Sequence, residues 1–323
     1  MALTTLTNMV IPVNFDAYVA EMATDKNAFF ASGILVANPQ LAKLLSMGGK
    51  SLIMPFTKAL SGDSEIPSET EDMGLGGITT SEDIARRQLR VKAFGENALA
   101  SLLSGDNVMD RIANAYAAYW SAEYTKILLS TCKGVFASMT DHVNDISALT
   151  DSASLFTSSG AIDTKFILGD SADKLNAVSV NSAVYAYLLK QDQIDTIPAS
   201  DGNGTITVYT PLNARVIMDD AVPYDNSTKI GSMYMFGAGA MGFVESNEGI
   251  VSSEVYRAPL KGLGENALIN RKQFVLHPLG IQWNEPTANP ISPTNTQLAA
   301  AANWTKKKDK KNVALAEFKF KIV

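Results

Sequence analysis

The chain has 323 residues, 46% of them hydrophobic, enough to bury the cores of two ordinary domains or of one elaborated one. A net charge of −6 and a pI near 5.1 argue against a surface specialised for nucleic acid, which needs clustered Lys and Arg to displace counterions from phosphate. The single Cys132 excludes an internal disulfide framework and points to a reducing compartment, and no window offers about 18 uninterrupted apolar residues for a membrane helix.

The first stretch, "MALTTLTNMVIPVNFDAY", lacks the basic n-region of a secretory leader, so a soluble protein made in a cytoplasm is expected. Residues 1–48 are mixed in character, with short helices expected near 16–22 and 39–46. The apolar run "SLIMPF" follows as a strand. Next comes "KALSGDSEIPSETEDMGLGGITTSEDIARR", with seven carboxylates from Asp63 to Asp83 and no basic residue between them. Structureless loops beyond about 12–15 residues are uncommon in compact domains. The segment therefore reads either as a surface loop or, more sharply, as a long two-stranded arm whose partner lies on another molecule. Its return, "RRQLRVKAFG", puts Leu89, Val91 and Ala93 on one face and Arg90 and Lys92 on the other, the period of a half-exposed strand.

The strongest periodicity lies in "SGDNVMDRIANAYAAYWSAEYTKILLSTCKGVFA". Val108, Ile112, Tyr116, Tyr119, Trp120, Ile127, Leu128 and Thr131 recur at helical steps, with Ser104 or Asp106 placed to cap the first turn. A helix from about 105 to 132 would be roughly 40 Å long and would form the backbone of the fold. The Ser/Asp/Thr-rich "TDHVNDISALTDSASLFTSSGAIDTK" then reads as a boundary. Beyond it, "VSVNSAVYAYLLKQDQID" predicts a capped helix with Val184, Tyr187 and Leu188 inward, and "TITVYT" with "ARVIMDDAVP" a pair of neighbouring strands. "SMYMFGAGAMGFVES" predicts two strands around glycines. From Gly249 on, "IVSSEVYRA", "NRKQFVLHPLGIQW" and "NVALAEFKFKIV" are strand-rich, with "PTANPISPTN" as a connector.

No feature carries catalytic chemistry, so the expectation is a protein that is not an enzyme, with no catalytic, cofactor-binding or metal residue. Gly237, Gly239 and Gly242 match a dinucleotide-binding pattern by letters, but "FVESNEGIVSS" is poor material for the helix that must come next; close strand packing explains them better. His142 and His277 stand alone and Cys132 has no Cys partner, so no metal-ligand spacing exists. His277 reads as a strand-end residue, and replacing both histidines by Asn is expected to leave particle formation intact. Asp219 and Asp220, read as adjacent strand residues, point to opposite faces. The Lys306 to Lys311 run reads as a solvated turn.

The arrangement of segments resembles the major capsid protein of tailed bacteriophages, the Hong Kong 97-type α+β shell fold. The likeness rests on "TSEDIARRQLRVKAFGENALASLLSGDNVMDRIANAYAAYWSAEYTKILLSTCKGVFA", similar to an extended-loop return strand and spine helix, on "VYTPLNARVIMDDAVP", similar to an axial strand with paired aspartates, and on "TNTQLAAAANWTKKKDKKNVALAEFKF", similar to a closing helix and strand. It implies an N-terminal arm at 1–48, an extended loop at 49–95 lying across a neighbouring subunit, a peripheral domain with the spine helix at 96–162, an axial domain at 163–246, and peripheral return strands at 247–323. The implied function is mechanical: pentamers and hexamers of identical subunits close an icosahedral shell around the phage genome. Implied partners are a separate scaffolding protein, since the chain starts close to its arm, a portal, and packaged double-stranded DNA in weak non-specific contact, with assembly in the bacterial host cytoplasm. No membrane is involved. Some members of the family crosslink through a Lys, an Asn and a nearby Glu, a set that Lys58 in the arm does not by itself establish here. An encapsulin-like compartment enclosing enzyme cargo resembles the same fold and stands as the alternative.

Overall fold

The computed structural model describes residues 29, 32–46, 48–66, 69–70, 72–104, 108–198, 205–246, 248–260, 263–288 and 290–322; the helix expected at 16–22 lies outside them. In chain order the first half runs β1 (Leu35–Val36), α1 (Pro39–Ser46), β2 (Ser51–Thr57), β3 (Thr80–Asn97), α2 (Ala98–Ser104), α3 (Val108–Ser138), β4 (Val143–Asp145), α4 (Ser158–Lys165), β5 (Leu175–Val180) and α5 (Ser182–Lys190). The second half runs β6 (Ile194–Pro198), β7 (Thr205–Tyr209), β8 (Ala214–Met218), β9 (Tyr224–Asp225), β10 (Ile230–Gly237), β11 (Met241–Glu245), β12 (Ser253–Ala258), β13 (Glu265–Pro278), β14 (Ile281–Trp283), α6 (Asn295–Leu298), β15 (Trp304–Lys306) and β16 (Leu315–Lys321).

Two large sheets organise most of these elements, and β14 pairs with β15 apart from them. One has the order β1-β11-β13-β3-β2, with β12 also on β13; the other has the order β4-β16-β10-β5-β8-β7-β6, with β9 on β10. The glycine-rich turn is the corner between them, for β10 ends in one sheet and β11 begins in the other. A Cβ on Gly237 would sit 2.5 Å from the Ala314 Cβ, and Gly239 turns with φ +68°. The turn leads into a strand, so the glycines serve backbone approach rather than a pyrophosphate. Sheet membership also crosses the sequence-drawn boundaries: β4 and the C-terminal β16 lie in the second sheet, and β11 lies in the first.

The spine helix α3 is longer than its periodicity predicts, 31 residues ending at Ser138 rather than near 132, or about 46 Å. Gly134 does not stop it because another segment needs the space: a Cβ there would meet the Leu298 carbonyl oxygen at 2.0 Å and the Trp304 indole nitrogen at 2.8 Å. Tertiary packing has overridden propensity. Ser104 ends α2 instead of capping α3, and Asp106 lies outside the described residues. Val108, Tyr116, Trp120, Ile127, Leu128 and Thr131 are buried as expected, and the same face continues through Tyr124, Cys132, Val135 and Phe136. They join Phe274 and Leu276 of the first sheet and Tyr234, Phe236 and Leu315 of the second in one core. A second core, under α4 and α5, gathers Val184, Leu188, Tyr209, Phe318 and Phe320.

Two sequence expectations need correction. The Ser/Asp/Thr-rich stretch, read as a boundary, carries structure of its own: β4, which pairs with β16, and α4, whose Thr157 cap accepts from Gly160 N. Its hydroxyls and carboxylates go to caps and turns, the positions these residues favour. The closing helix shrinks to the single turn of α6, bounded by a Thr294/Gln297 capping box. Asn303 Nδ2 and the Trp304 indole then donate to the Gln297 and Leu298 carbonyls, taking the acceptors a further turn would use.

His142 illustrates how the core uses polar groups. Its Nδ1 lies 2.7 Å from the Leu315 carbonyl, so Nδ1–H donates, while the buried Nε2 has no partner among the described residues. Burial pushes its pKa below the ordinary histidine value. The folded state therefore resists protonation that the unfolded chain accepts near pH 6.5, and stability should fall as pH drops through that value, by at most about 1.4 kcal/mol per pH unit. Melting curves at pH 7.5 and 5.5 for wild type and His142→Gln, whose amide can also donate to Leu315, check this. The variant should show the shallower pH slope; equal slopes would remove His142 as the source.

Candidate assembly surfaces

β2 and β3 pair from Ser51 with Arg86 to Thr57 with Thr80, a hairpin whose last rung is Lys58 N donating to Thr79 O at 2.9 Å. Beyond it the described residues of 58–79 form no strand, so the arm is two-stranded at its base only. The tip buries little of itself: Ile66 is 91% and Leu75 100% exposed, with Leu60, Met73 and Ile78 also largely open. Across the tip Glu65 Oε2 accepts from Gly74 N at 2.9 Å. Apolar side chains in this state gain roughly 25 cal/mol per Å² if a partner covers them.

The root of the arm is built differently. β3 runs on past β2 and pairs with β13 from Arg87 opposite Val275 to Asn97 opposite Glu265. Alongside Ala85 and Phe94, several of its polar side chains point inward. Asp83, 3% exposed, places Oδ1 at 2.8 Å from His277 Nε2 and accepts from Gly280 N on Oδ2 at 2.7 Å. Arg86 donates twice to Glu285, at 2.9 and 3.2 Å, and also to the Lys50 and Pro290 carbonyls. Arg87 reaches the Leu45 carbonyl, and Arg90 reaches Ser292 and Asn295. The connector "PTANPISPTN" thus supplies acceptors to β3. Leu89 and Val91 face outward, the reverse of a half-buried strand with an apolar inner face. Removing one partner from a buried pair of this kind costs about 3–5 kcal/mol.

This geometry corrects three expectations. Asp83 belongs to the core and not to the outreaching segment. His277 is a buried partner of that carboxylate, so neither it nor His142 is idle. The double Asn substitution should therefore be destabilising, since both rings are buried and hydrogen-bonded. None of these partnerships was visible in sequence, because they join positions about two hundred residues apart; the faint signal was charge at inward positions of a strand.

In the second sheet, α5 forms as predicted, capped by Asn181 Oδ1 accepting from Ala183 N, with Val184 and Leu188 buried and Tyr187 partly so. Asp219 and Asp220 lie just past β8, not on it. Asp220 Oδ1 accepts from Ser182 N at the start of α5 and Asp219 Oδ1 from Ala221 N, so both carboxylates serve backbone donors. Cys132 is buried and its thiol is pushed up by burial and by nearby Glu317. Among the described residues no three His, Cys, Asp or Glu side chains form a metal-capable group, and no helix is long and apolar enough to cross a membrane.

The Lys306 to Lys311 turn packs near the foot of the arm. Lys306 pairs with Asp141, Lys311 lies 2.9 Å from Asp170, and the Lys308 ammonium stands 5.5 Å from the centre of the Phe56 ring. Phe56, Lys58 and Leu60 face Lys307, Lys308 and Asp309 across a cleft of about 690 Å³.

The chain matches the family described as Gp13-like, major capsid protein 13-like, over residues 97–314. It is 35% identical over 329 residues to the major capsid protein of Bacillus phage SPP1, covering 100% of this chain and 99% of that one. Among solved structures, the capsid of Ralstonia phage GP4 has a similar fold at a TM-score of 0.60 and 8% identity, covering 97% of this chain and 96% of that one. The head structure of Helicobacter pylori bacteriophage KHP40 gives 0.56 at 10% identity, with coverage of 100% and 98%.

Proposed function

Because the chain belongs to the Gp13-like major capsid protein family, and many copies of it form the capsid shell of a phage virion, we propose that it closes that shell by laying its arm across a neighbouring subunit. The encapsulin-like alternative is not favoured, since the SPP1 relative and the GP4 and KHP40 structures are all phage capsid proteins. The observation that carries the arm reading is the contrast within one hairpin: a root clamped by buried Asp83 and Arg86, and a tip whose apolar side chains have no core of their own.

In this reading the first sheet and α3 make the peripheral domain, and the unit around the second sheet makes the axial domain that gathers at pentamer and hexamer centres. The division follows sheet membership more closely than chain order: β16 goes with the axial sheet and β11 with the peripheral one. The protein's role is structural and not enzymatic, supported by aspartates spent on backbone donors and histidines spent on core contacts. A scaffolding protein and a portal complete assembly in the host cytoplasm, a part that rests on the family resemblance. Contact with packaged double-stranded DNA is weak and non-specific, in keeping with a net charge of −6.

Limited proteolysis tests the arm reading. In the free subunit the first cuts should fall within 58–79, and in assembled shells the same bonds should be protected. Equal cutting in both states would mean that the tip stays in solvent and that the neighbour is held by other surfaces.

A further inference from the structure

The cleft at the foot of the arm has a charge imbalance that the subunit leaves unresolved. Lys306 and Lys311, at the ends of the lysine run, are neutralised by Asp141 and Asp170. The middle of the run faces the cleft, where Lys58, Lys307 and Lys308 stand against one carboxylate, Asp309. Neither Lys58 nor Lys307 has a carboxylate partner among the described residues. The opposite imbalance lies farther out on the arm. Residues 59–79 carry five acidic side chains and no basic one, and Asp63, Glu65, Glu69 and Asp72 have no ion-pair partner among the described residues.

We propose that this cleft, centred on Lys58, Lys307 and Lys308, receives the acidic arm tip of a second copy of the chain. The proposal rests on the arm lying across a neighbour, and it names the surface the tip meets there. The occupant is another copy, because the chain's own residues 59–61 form one wall of the cleft and its own acids remain unpaired in the folded subunit. Apolar chemistry matches as well: Phe56 and Leu60 in the cleft offer a surface for Ile66 and Leu75, which the tip leaves open. Opposite charges on the two partners set register and speed encounter more than they add affinity. The contact should weaken with salt, since screening shortens from about 10 Å at 0.1 M to about 3 Å at 1 M.

The full chain assembled from purified subunits provides the test. Lys307→Glu combined with Lys308→Glu should lower the yield of closed shells by about tenfold or more, because one contact is lost at every symmetry-related position, while the subunit's melting curve is unchanged. Adding Glu69→Lys and Asp72→Lys to that same chain should restore shells. A separate variant, Asp72→Cys with Lys307→Cys, locates the contact: oxidised shells should give covalent ladders of subunits, and the native Cys132 is too buried to compete. Unchanged shell yield after lysine reversal would overturn the proposal, as would a crosslink confined to single chains. Intact shells that fail only to retain DNA would also overturn it, by showing that the cleft meets phosphate. Proteolysis of the same particles keeps the wider reading separate: normal shells with a protected tip and reversed lysines would remove the cleft assignment and leave the arm reading standing.

Discussion

Replacing residues 61–79 by a short Asn-Gly turn will yield a soluble, cooperatively melting subunit that forms few or no closed shells. The boundary matters. Sequence alone places the end of the outreaching segment at Asp83, but Asp83 is held by His277 and Gly280, and cutting there would leave a buried histidine and a backbone amide without their acceptor. Stopping at 79 preserves the hairpin rungs from Thr57 and Thr80 inward. With residues 58–60 the new dipeptide makes a five-residue connection from Thr57 to Thr80, among the common hairpin lengths. The side chains removed are open to solvent in the subunit, so folding loses little, whereas every shell position loses the same intermolecular contact and the deficit repeats around each axis. Calorimetry and electron microscopy of one preparation decide the matter. Normal shells would make the tip an idle loop, and an unfolded product would make it part of the core.

Trp120→Ala will destabilise the subunit by about 3–5 kcal/mol, the cost of truncating a buried aromatic. Trp120 is 6% exposed and lies within a run of rings, 5.3 Å from Tyr119 and 6.2 Å from Tyr124 between centroids. Tyr124 in turn meets Phe243 and Phe274 edge-on, so it links α3 to β11 and β13 while the indole packs against it. Its nitrogen has no partner among the described residues, so the loss is one of packing and not of a hydrogen bond. Denaturant titration reads the change directly. A loss below about 1 kcal/mol would show that the site relaxes around the missing ring.

The parts legible in sequence were those with local causes. The spine helix showed itself through a repeating apolar face, α5 through its Asn181 cap, and the hairpin base through two runs flanking an acidic stretch. The parts that were hidden depend on distant partners. The arm root is held by Asp83 with His277 and Arg86 with Glu285, pairs with no sequence signature. The extra length of α3 past Cys132 depends on the Leu298 carbonyl and Trp304 filling the space over Gly134. The glycine pattern at 237–242 was legible as close strand packing, because strand material and not a helix follows it. The Ser/Asp/Thr-rich stretch read as a boundary because the residues that cap helices and make turns are also those that end domains.

β3 is one uninterrupted strand of 18 residues, paired with β2 along its first part and with β13 along its second. At about 3.3 Å per residue it is a beam of roughly 60 Å with no joint where the arm leaves the body. A load applied near the arm's outer end is therefore not absorbed at the root but arrives as torque on β13, along every residue from Arg87 to Asn97. Such a root does not bend to suit its surroundings. Past the root the described residues form no ladder bonds, and Glu65 accepts from Gly74 N across the tip. If the arm lies across a neighbour as proposed, each subunit is a stiff tile, and the curvature of the wall is set where its tip meets the next one.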